Sequence, residues 1–502
     1  MHQEILDVQR PNTWHNLSRI NYHIRTEWLK KHLKDIIKIL QTLPADNPAP
    51  WNLLGYMCID DTLYHEAEMI YDHLLKKTQK EHGDISIPSY LRGIAHFLQG
   101  RFQEAYQDFK ISRQYDMQMK KANSMAARAI AYMEETLFPT RNIIKKNQNK
   151  LIKDLNIPRS LDRTFGPNML RTIHKWNSAT PLFSQGISQG GGYFLTLKNS
   201  HNQTKGIAVD PGYDFFDIFR DLGLNIADID AIIITHDHDD HTESVEGILS
   251  LLAKYNDHNE QKKSKVIDIF GSAGVLLKFH GLLSATDLFG NREINFKLLV
   301  PGAEITEVEG MSLMEKYGFT LSVKPAHHTE RWTNQESSVG VVLHTSLPDP
   351  KNGGKLKIGI TGDSRYEVGL GREYKDVQVL LLNIGSVEKE EGKLLDQHLG
   401  MLGCINLIKE GRIGMPLMAI LTEFGEEFSG KREIISRIIE NWAQPMAGSR
   451  GKDLRVIPAD VHLEVRLSDL TIRESDTDVF FPYTMIKIDE TNPEILSYRF
   501  ND

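Results

Sequence analysis

The sequence predicts an α/β domain preceded by an all-α one. Two patterns and the length carry that reading. Through the first 140 residues apolar positions recur at helical spacing, whereas from about residue 190 short apolar runs of strand length alternate with helical patterns. A chain of 502 residues is also long for one domain. Hydrophobic content of 40% and charged content of 25% are ordinary for a soluble globular protein. A net charge of −8 and a pI near 6.2 argue against a nucleic-acid binder acting through the whole chain, and leave a local basic face open. The two cysteines, Cys58 and Cys404, lie far apart, which speaks for a reducing compartment and against a disulfide framework. The N-terminal stretch MHQEILDVQRPNTWHNLSRI has no apolar h-region and no run approaches 18 apolar residues, so a cytoplasmic protein without a membrane span is expected.

Taken in order, residues 15–42 read as a helix, with Leu29, Leu33, Ile36, Ile37 and Leu40 on one face. After ADNPAP come Trp51, Leu54, Gly55, Ala67 and Tyr71, and then Gly93, Ala105 and Phe109 with the same glycine–alanine–aromatic spacing of 12 and then 4 residues. Small residues at such offsets let two antiparallel helices approach closely, and the aromatic fills the next layer. The pattern resembles the tetratricopeptide repeat, with an offset of 38 residues in place of the usual ~34, EHGDISIP lengthening the loop, and a second copy lacking the Trp and Leu. Two repeats are few for a stable stack, so helices at 15–42 and about 118–137 would have to cap it. The resemblance implies a helical domain over residues 1–140 that binds a protein partner or self-associates; helical hairpins without a binding groove are the alternative.

Residues 141–179 change the charge balance. Nine cations (Arg141, Lys145, Lys146, Lys150, Lys153, Arg159, Arg163, Arg171, Lys175) face two acids, Asp154 and Asp162. A solvated linker, or a helix carrying cations on its outer face, is the first reading, since charge runs usually face water; a basic surface for a phosphate-rich substrate is the second. GISQGGGYFL then opens a domain over 180–502, where Gly190, Gly191 and Gly192 precede a strand at Tyr193–Leu197. Beyond it the runs GIAVD, AIIIT, VIDIF, FTLSVK, VGVVLH, LKIGIT, VQVLLLN and PLMAILT read as strands.

The chain is organised around AIIITHDHDDHTESVEGILSLLAKY, Ala231 to Tyr255. A buried strand ends at Thr235. His236, His238, Asp240 and His241 follow in the spacing H-x-H-x-D-H, and a helix starts at once, with Thr242 as its N-cap and Ile248, Leu249 and Leu252 on its apolar face. Three imidazoles and a carboxylate leaving one turn suit zinc and its neighbours. The stretch resembles the second signature of the metallo-β-lactamase-fold hydrolases, in the form found in tRNase Z and related phosphodiesterases, and the resemblance covers roughly residues 180–470.

The resemblance implies an αββα sandwich, two packed sheets between helices, with metals at one edge. It assigns Asp210, in GIAVDPG, to buttress the metal loop. In PAHHT it makes His328 a ligand and His327 its neighbour, and in TGDS it makes Asp363 the carboxylate shared by both metals. One motif departs: where relatives end a strand in Leu-Thr-His, PLMAILTEFGEEF holds Glu423. The second site then consists of Asp240, His241, Asp363 and Glu423, and this carboxylate content tilts it toward harder ions. Two divalent ions are expected, zinc first, with manganese or iron as alternatives. His398, in DQHLGMLGCINLI, matches a histidine held near the scissile phosphate, where it would donate a proton, stabilise charge, or replace the missing ligand. His280, His344 and His462 are read as structural.

The implied chemistry is hydrolysis by a hydroxide bridging two ions, with Asp240 orienting it. No nucleophilic Ser or Cys motif and no P-loop competes. A phosphodiesterase or nuclease acting on nucleic acid or a nucleotide leads. A lactone or ester hydrolase comes second, and a helical scaffold with a vestigial metal domain third. No Gly/Pro-rich tRNA-gripping arm is evident, so tRNase Z itself is not expected.

Overall fold

The structure, a computed structural model, describes residues 22–42, 48–81, 83–118, 125–155, 161, 166–173, 191–258, 264–284, 294–350, 353–388, 390, 393–410, 418–428, 430–443, 454–460, 463–474 and 481–482. It divides into two compact units, Met1–Leu151 and Ile152–Asp502.

The first unit is helical: α1 Tyr22–Gln41, α2 Ala49–Asp60, α3 Tyr64–Lys80, α4 Ser86–Leu98, α5 Phe102–Gln118, α6 Met125–Tyr132 and α7 Phe138–Leu155, the last two joined through a π turn at Met133–Leu137. Its core joins Leu29, Leu33 and Ile36 to Trp51, Leu54, Ile70 and Tyr71. The glycine–aromatic spacing has a direct geometric cause. A Cβ on Gly55 would lie 2.3 Å from Tyr71 Cζ, and one on Gly93 would lie 2.6 Å from Phe109 Cε1, so each ring occupies the space a side chain would need. Residues 15–21 of the expected first helix lie outside the described residues. The expected capping helix at about 118–137 differs: α5 ends at Gln118, and the next helix runs on through α7 into the basic segment, because FPTRNIIKKNQNKLIKDL contains no helix breaker after Pro139.

The second unit has eighteen strands among the described residues: β1 Met169–Thr172, β2 Tyr193–Lys198, β3 Thr204–Val209, β4 Ala231–Ile234, β5 Ile267–Gly271, β6 Ile294–Leu298, β7 Glu304–Ile305, β8 Glu307–Val308, β9 Met311–Ser312, β10 Phe319–Pro325, β11 Val339–Pro348, β12 Lys355–Ile360, β13 Val379–Gly385, β14 Met418–Phe424, β15 Arg455–Pro458, β16 Leu463–Arg466, β17 Thr471–Glu474 and β18 Phe481–Pro482. Nine form one sheet, ordered β18-β17-β16-β1-β2-β3-β4-β5-β6; seven form another, ordered β15-β14-β13-β12-β11-β10-β7; β8 and β9 make a small hairpin.

The sheets pack face to face. Leu195, Val209 and Ile233 of the first share one core with Val341, Ile360, Leu381 and Ile420 of the second. The outer face of the first sheet is covered by α8 (Phe215–Asp221) and α9 (Asp239–His258), through Phe219, Ile248 and Leu252. The outer face of the second is covered by α10 (Gly400–Glu410) and α11 (Arg432–Ala443), through Cys404, Leu407 and Ile439. The result is the expected αββα layering. Strands β3 to β6 are parallel, as are β12 to β15. Parallel strands covered on both faces must be apolar throughout, which is why AIII is continuously hydrophobic. Truncating one such buried side chain, Ile233→Ala, costs about 2–5 kcal/mol.

The segment 141–179, expected as a linker or as a helix carrying cations on its outer face, begins as such a helix, α7, but Met169–Thr172 is β1, paired antiparallel with β2 and β16. Arg171, counted in the basic run, is buried and pairs with Glu464 of β16. A four-residue strand that satisfies its charge by pairing with a carboxylate 293 positions away leaves no periodic trace. Lys175, Arg159, Arg163 and His462 lie outside the described residues. Among the described residues no helix is long and apolar enough to cross a membrane.

Candidate metal centre

The edge where the parallel strands end collects the predicted residues. β4 ends at Ile234 and delivers Thr235 and His236; α9 begins at Asp239 and carries Asp240 and His241 in its first turn. Thr242 therefore lies inside the helix and is not its cap; its hydroxyl donates back to the His238 carbonyl at 2.7 Å. β10 and β12 both run antiparallel to β11, so both point their carboxyl ends to this edge, where His328 and Asp363 follow. β14 brings Glu423, and His398 lies just before α10.

Close approach makes the loop possible. A Cβ on Gly212 would fall 1.5 Å from the Asp240 carbonyl oxygen, and one on Gly385, at φ +71°, 2.4 Å from His398 Cγ. Asp210 and Glu423 are non-glycine residues at φ +48° and +60°. Left-handed backbone of this kind is costly and collects at functional sites.

Two groups of donors form. One ligand atom from each of His236, His238, His328 and Asp363 lies within 4.8 Å of the others, and the same holds for Asp240, His241 and Asp363. Asp363 Oδ2 is 3.7 Å from His236 Nε2, 3.7 Å from His241 Nε2, 3.8 Å from His328 Nε2 and 3.6 Å from His398 Nδ1. His241 Nε2 is 3.6 Å from Asp240 Oδ2 and 3.4 Å from Glu423 Oε1. All these residues are buried except His238 and His398, which mark the open side. His327 turns away, its Nδ1 3.6 Å from Glu336 Oε2, so of the two adjacent histidines His328 is the one that enters the cluster.

Hydrogen bonds fix the tautomers. The His328 Nδ1–H donates to the Gln397 carbonyl at 3.0 Å, since a carbonyl only accepts. Thr235 Oγ1 donates to Asp210 Oδ2 at 2.8 Å, so it is the His236 Nδ1–H that donates to Thr235 Oγ1, at 3.2 Å. His241 Nδ1 lies 3.2 Å from Asp210 Oδ2. The His236 and His328 rings thus hold their Nδ1 proton outward and turn an Nε2 lone pair inward. His328 Nε2 and His238 Nδ1 approach to 3.2 Å, and the buried Nε2 atoms of His236 and His241 have no hydrogen-bond partner among the described residues. Converging lone pairs of this kind fit a divalent cation.

Electrostatics divide the rings. Burial, then His241, pushes His236 well below the usual imidazole range; burial and His328 lower His238; burial, with His398, lowers His328. Burial works against a charged His241, yet Asp240, Asp363 and Asp210 hold it well above the usual range. Burial likewise works to raise Asp363, and His398, His241 and His236 hold it well below the carboxylate range.

Other residues that secure the centre were not singled out in the sequence. Asp237, buried between the two histidines of the loop, accepts the backbone N–H groups of Arg331 at 3.0 Å and Trp332 at 2.7 Å, tying the segment after His328 to the His236 loop. Glu330, fully buried, accepts from Gly274 N at 3.0 Å and from the hydroxyls of Ser272 and Ser337. Asn383 donates to Asp363 Oδ1 at 2.8 Å. The readable trace was a polar residue inside or beside an apolar run, as in VLLLN. His344 bonds Ser322 away from the cluster.

Residues 206–415 match the Beta-lactamase superfamily domain. Among solved structures, the metallo-beta-lactamase fold protein YhfI from Bacillus subtilis is similar over 54% of this chain and 92% of its own, at 15% identity and TM-score 0.40. The short form of human tRNase Z is similar over 52% of this chain and 94% of its own, at 18% identity and TM-score 0.35. No curated protein matches the chain. With its two sheets, covering helices and histidine loop, the second unit contains a Beta-lactamase superfamily domain of the metallo-β-lactamase fold, in a chain that begins with an all-helical region.

Proposed function

We propose that this chain is a metal-dependent hydrolase of phosphodiesters. The observation that carries the reading is the sharing of Asp363 by two donor groups. His236, His238, His328 and Asp363 would hold one ion; Asp240, His241, Asp363 and Glu423 would hold a second. The first set suits zinc, and the carboxylate-rich second set suits manganese or iron as well. Divalent ions there supply Lewis acidity and a water of lowered pKa.

The remaining steps belong to the side chains. Thr235, which donates to Asp210, holds the His236 ring in the tautomer that turns Nε2 inward, and Asp210 stands 3.2 Å from His241 Nδ1, where it orients that ring. Asp240, buried beside His241 with Oδ2 3.6 Å from its Nε2, would orient the attacking water. His398 stands half-exposed on the open side, 3.6 Å from Asp363, where it can give a proton to the leaving oxygen. A phosphodiester suits this arrangement because a paired site stabilises both the attacking and the leaving oxygens.

The test compares hydrolysis of bis-p-nitrophenyl phosphate with a lactone panel, alongside metal analysis, in wild type and Asp363→Ala. Metal-dependent phosphodiester cleavage lost in the variant supports the reading. Cleavage of lactones alone would replace it with an ester hydrolase, and equal background from both proteins would leave a scaffold.

A further inference from the structure

A polar strut crosses the largely apolar core between the two sheets and ends on Asp363. Tyr193 begins β2 in the first sheet; Asn383 and Thr422 lie on β13 and β14 of the second. All three are buried, with 2%, 1% and 0% exposure. Tyr193 OH lies 2.7 Å from Thr422 Oγ1 and 3.2 Å from Asn383 Oδ1. Thr422 Oγ1 donates to Asn383 Oδ1 at 2.7 Å, and Asn383 Nδ2 donates to Asp363 Oδ1 at 2.8 Å.

The polarity of the strut is forced. An ionised carboxylate has no proton to give, so Asn383 must turn its NH2 group toward Asp363. Its carbonyl oxygen then faces the hydroxyls, and both must act as donors back along the chain. Polar groups in a dry core cost stability unless every one is paired, so a strut at this place asks for a reason. Its end supplies one. Oδ1 of Asp363 is taken by the amide, which leaves Oδ2 as the oxygen within 3.6–3.8 Å of His236, His241, His328 and His398.

We infer that Asn383, braced by Thr422 and Tyr193, is a positioning residue that fixes which oxygen of Asp363 faces the ions. The inference rests on the metal-centre reading above and extends it to two residues of Asp363's own sheet and one of the opposite sheet. Thr422 directly precedes Glu423, so the same brace abuts the position where the second ligand set departs from its relatives.

The experiment is a cobalt(II) titration of the full chain followed by visible absorption. The variants are Asn383→Leu, Tyr193→Phe, and, as a control, Ser322→Ala, which breaks buried hydrogen bonds to Glu304 and His344 elsewhere in the second sheet. Asn383→Leu should weaken cobalt binding about 10- to 100-fold and alter its ligand-field bands. Tyr193→Phe, which removes one hydroxyl, should shift both in the same direction by less, and decides the matter should Asn383→Leu not fold. Ser322→Ala should match wild type. Folded Asn383 and Tyr193 variants with wild-type affinity and spectrum would overturn this inference alone. A wild-type chain that takes up no cobalt would overturn it together with the metal-centre reading.

Discussion

Histidines lie among carboxylates in two places, one in each unit, and the surroundings differ. In the helical unit His96 sits 2.8 Å from Asp108 and 3.2 Å from Glu68. Guanidinium groups complete that cluster: Arg92 is 2.6 Å from both Asp108 and Asp72, and Arg101 is 2.8 Å from Glu68. In the metal centre, Asp363 and Asp240 face imidazoles, and no lysine or arginine contacts either carboxylate among the described residues. A carboxylate matched by arginine is finished electrostatically. A buried carboxylate ringed by imidazoles, three of them disfavoured as cations by burial, still calls for positive charge, and there an ion would do what arginine does in the other unit.

The largest effect that would sharpen this contrast is on His398. Replacing it with Gln should lower kcat on bis-p-nitrophenyl phosphate about 100-fold or more while leaving bound metal unchanged. Loss of one ion per chain in that variant would instead make His398 a ligand. Next comes the arginine-matched cluster. Asp108→Asn leaves Arg92 and His96 short of their shared partner and should cost about 3 kcal/mol in denaturant unfolding, with metal content untouched. A change in metal content would break the comparison.

Glu423→His installs the residue that the resemblance leads one to expect at this position. It should keep activity within about tenfold while raising the zinc-to-manganese ratio of bound ions, measured by elemental analysis. An unchanged ratio would place Glu423 outside the ligand set. The smallest effect is on pH. Burial works against a charged His96, but Asp108 and Glu68 raise its pKa, so its stabilising contribution is complete below about pH 6.5 and fades as pH rises through the folded value. Glu68 moves the other way. Burial opposes the shift, yet Arg101, Gln99 and His96 lower it to about 2, so its contribution is present above pH ~4.5 and fades as pH falls toward that value. Amide exchange in α3–α5 should therefore be slowest, after correction for intrinsic rates, between those limits. His96→Gln should abolish the alkaline side and, because His96 also helps to lower Glu68, weaken the acid side in part.

How much was legible follows from chain distance. The H-x-H-x-D-H loop could be read because strand, donors and helix are contiguous in 25 residues. Asp363 and His328 could be read because each closes an apolar strand, and strands of one direction end at one edge. Gly55 and Gly93 could be read because helix packing repeats its spacing. The pairing of Arg171 with Glu464, the strut from Tyr193 to Asn383, and the loop ties made by Asp237 and Glu330 could not be located in the same way. Each is one polar residue whose partner lies across the fold, and no periodicity records such a pair. β1 escaped notice for a like reason, since one of its two partners, β16, lies far along the chain.

Histidines 236 and 241 hang from one sheet of the sandwich, whereas His328, Asp363 and Glu423 hang from the other. Ions gripped by both would rivet the two leaves along their open margin, so a chelator should act as a mild denaturant here. Stripping the protein should lower its melting temperature and loosen amide exchange first along β4 and β12, and resupplying the ion should reverse both in proportion to its occupancy.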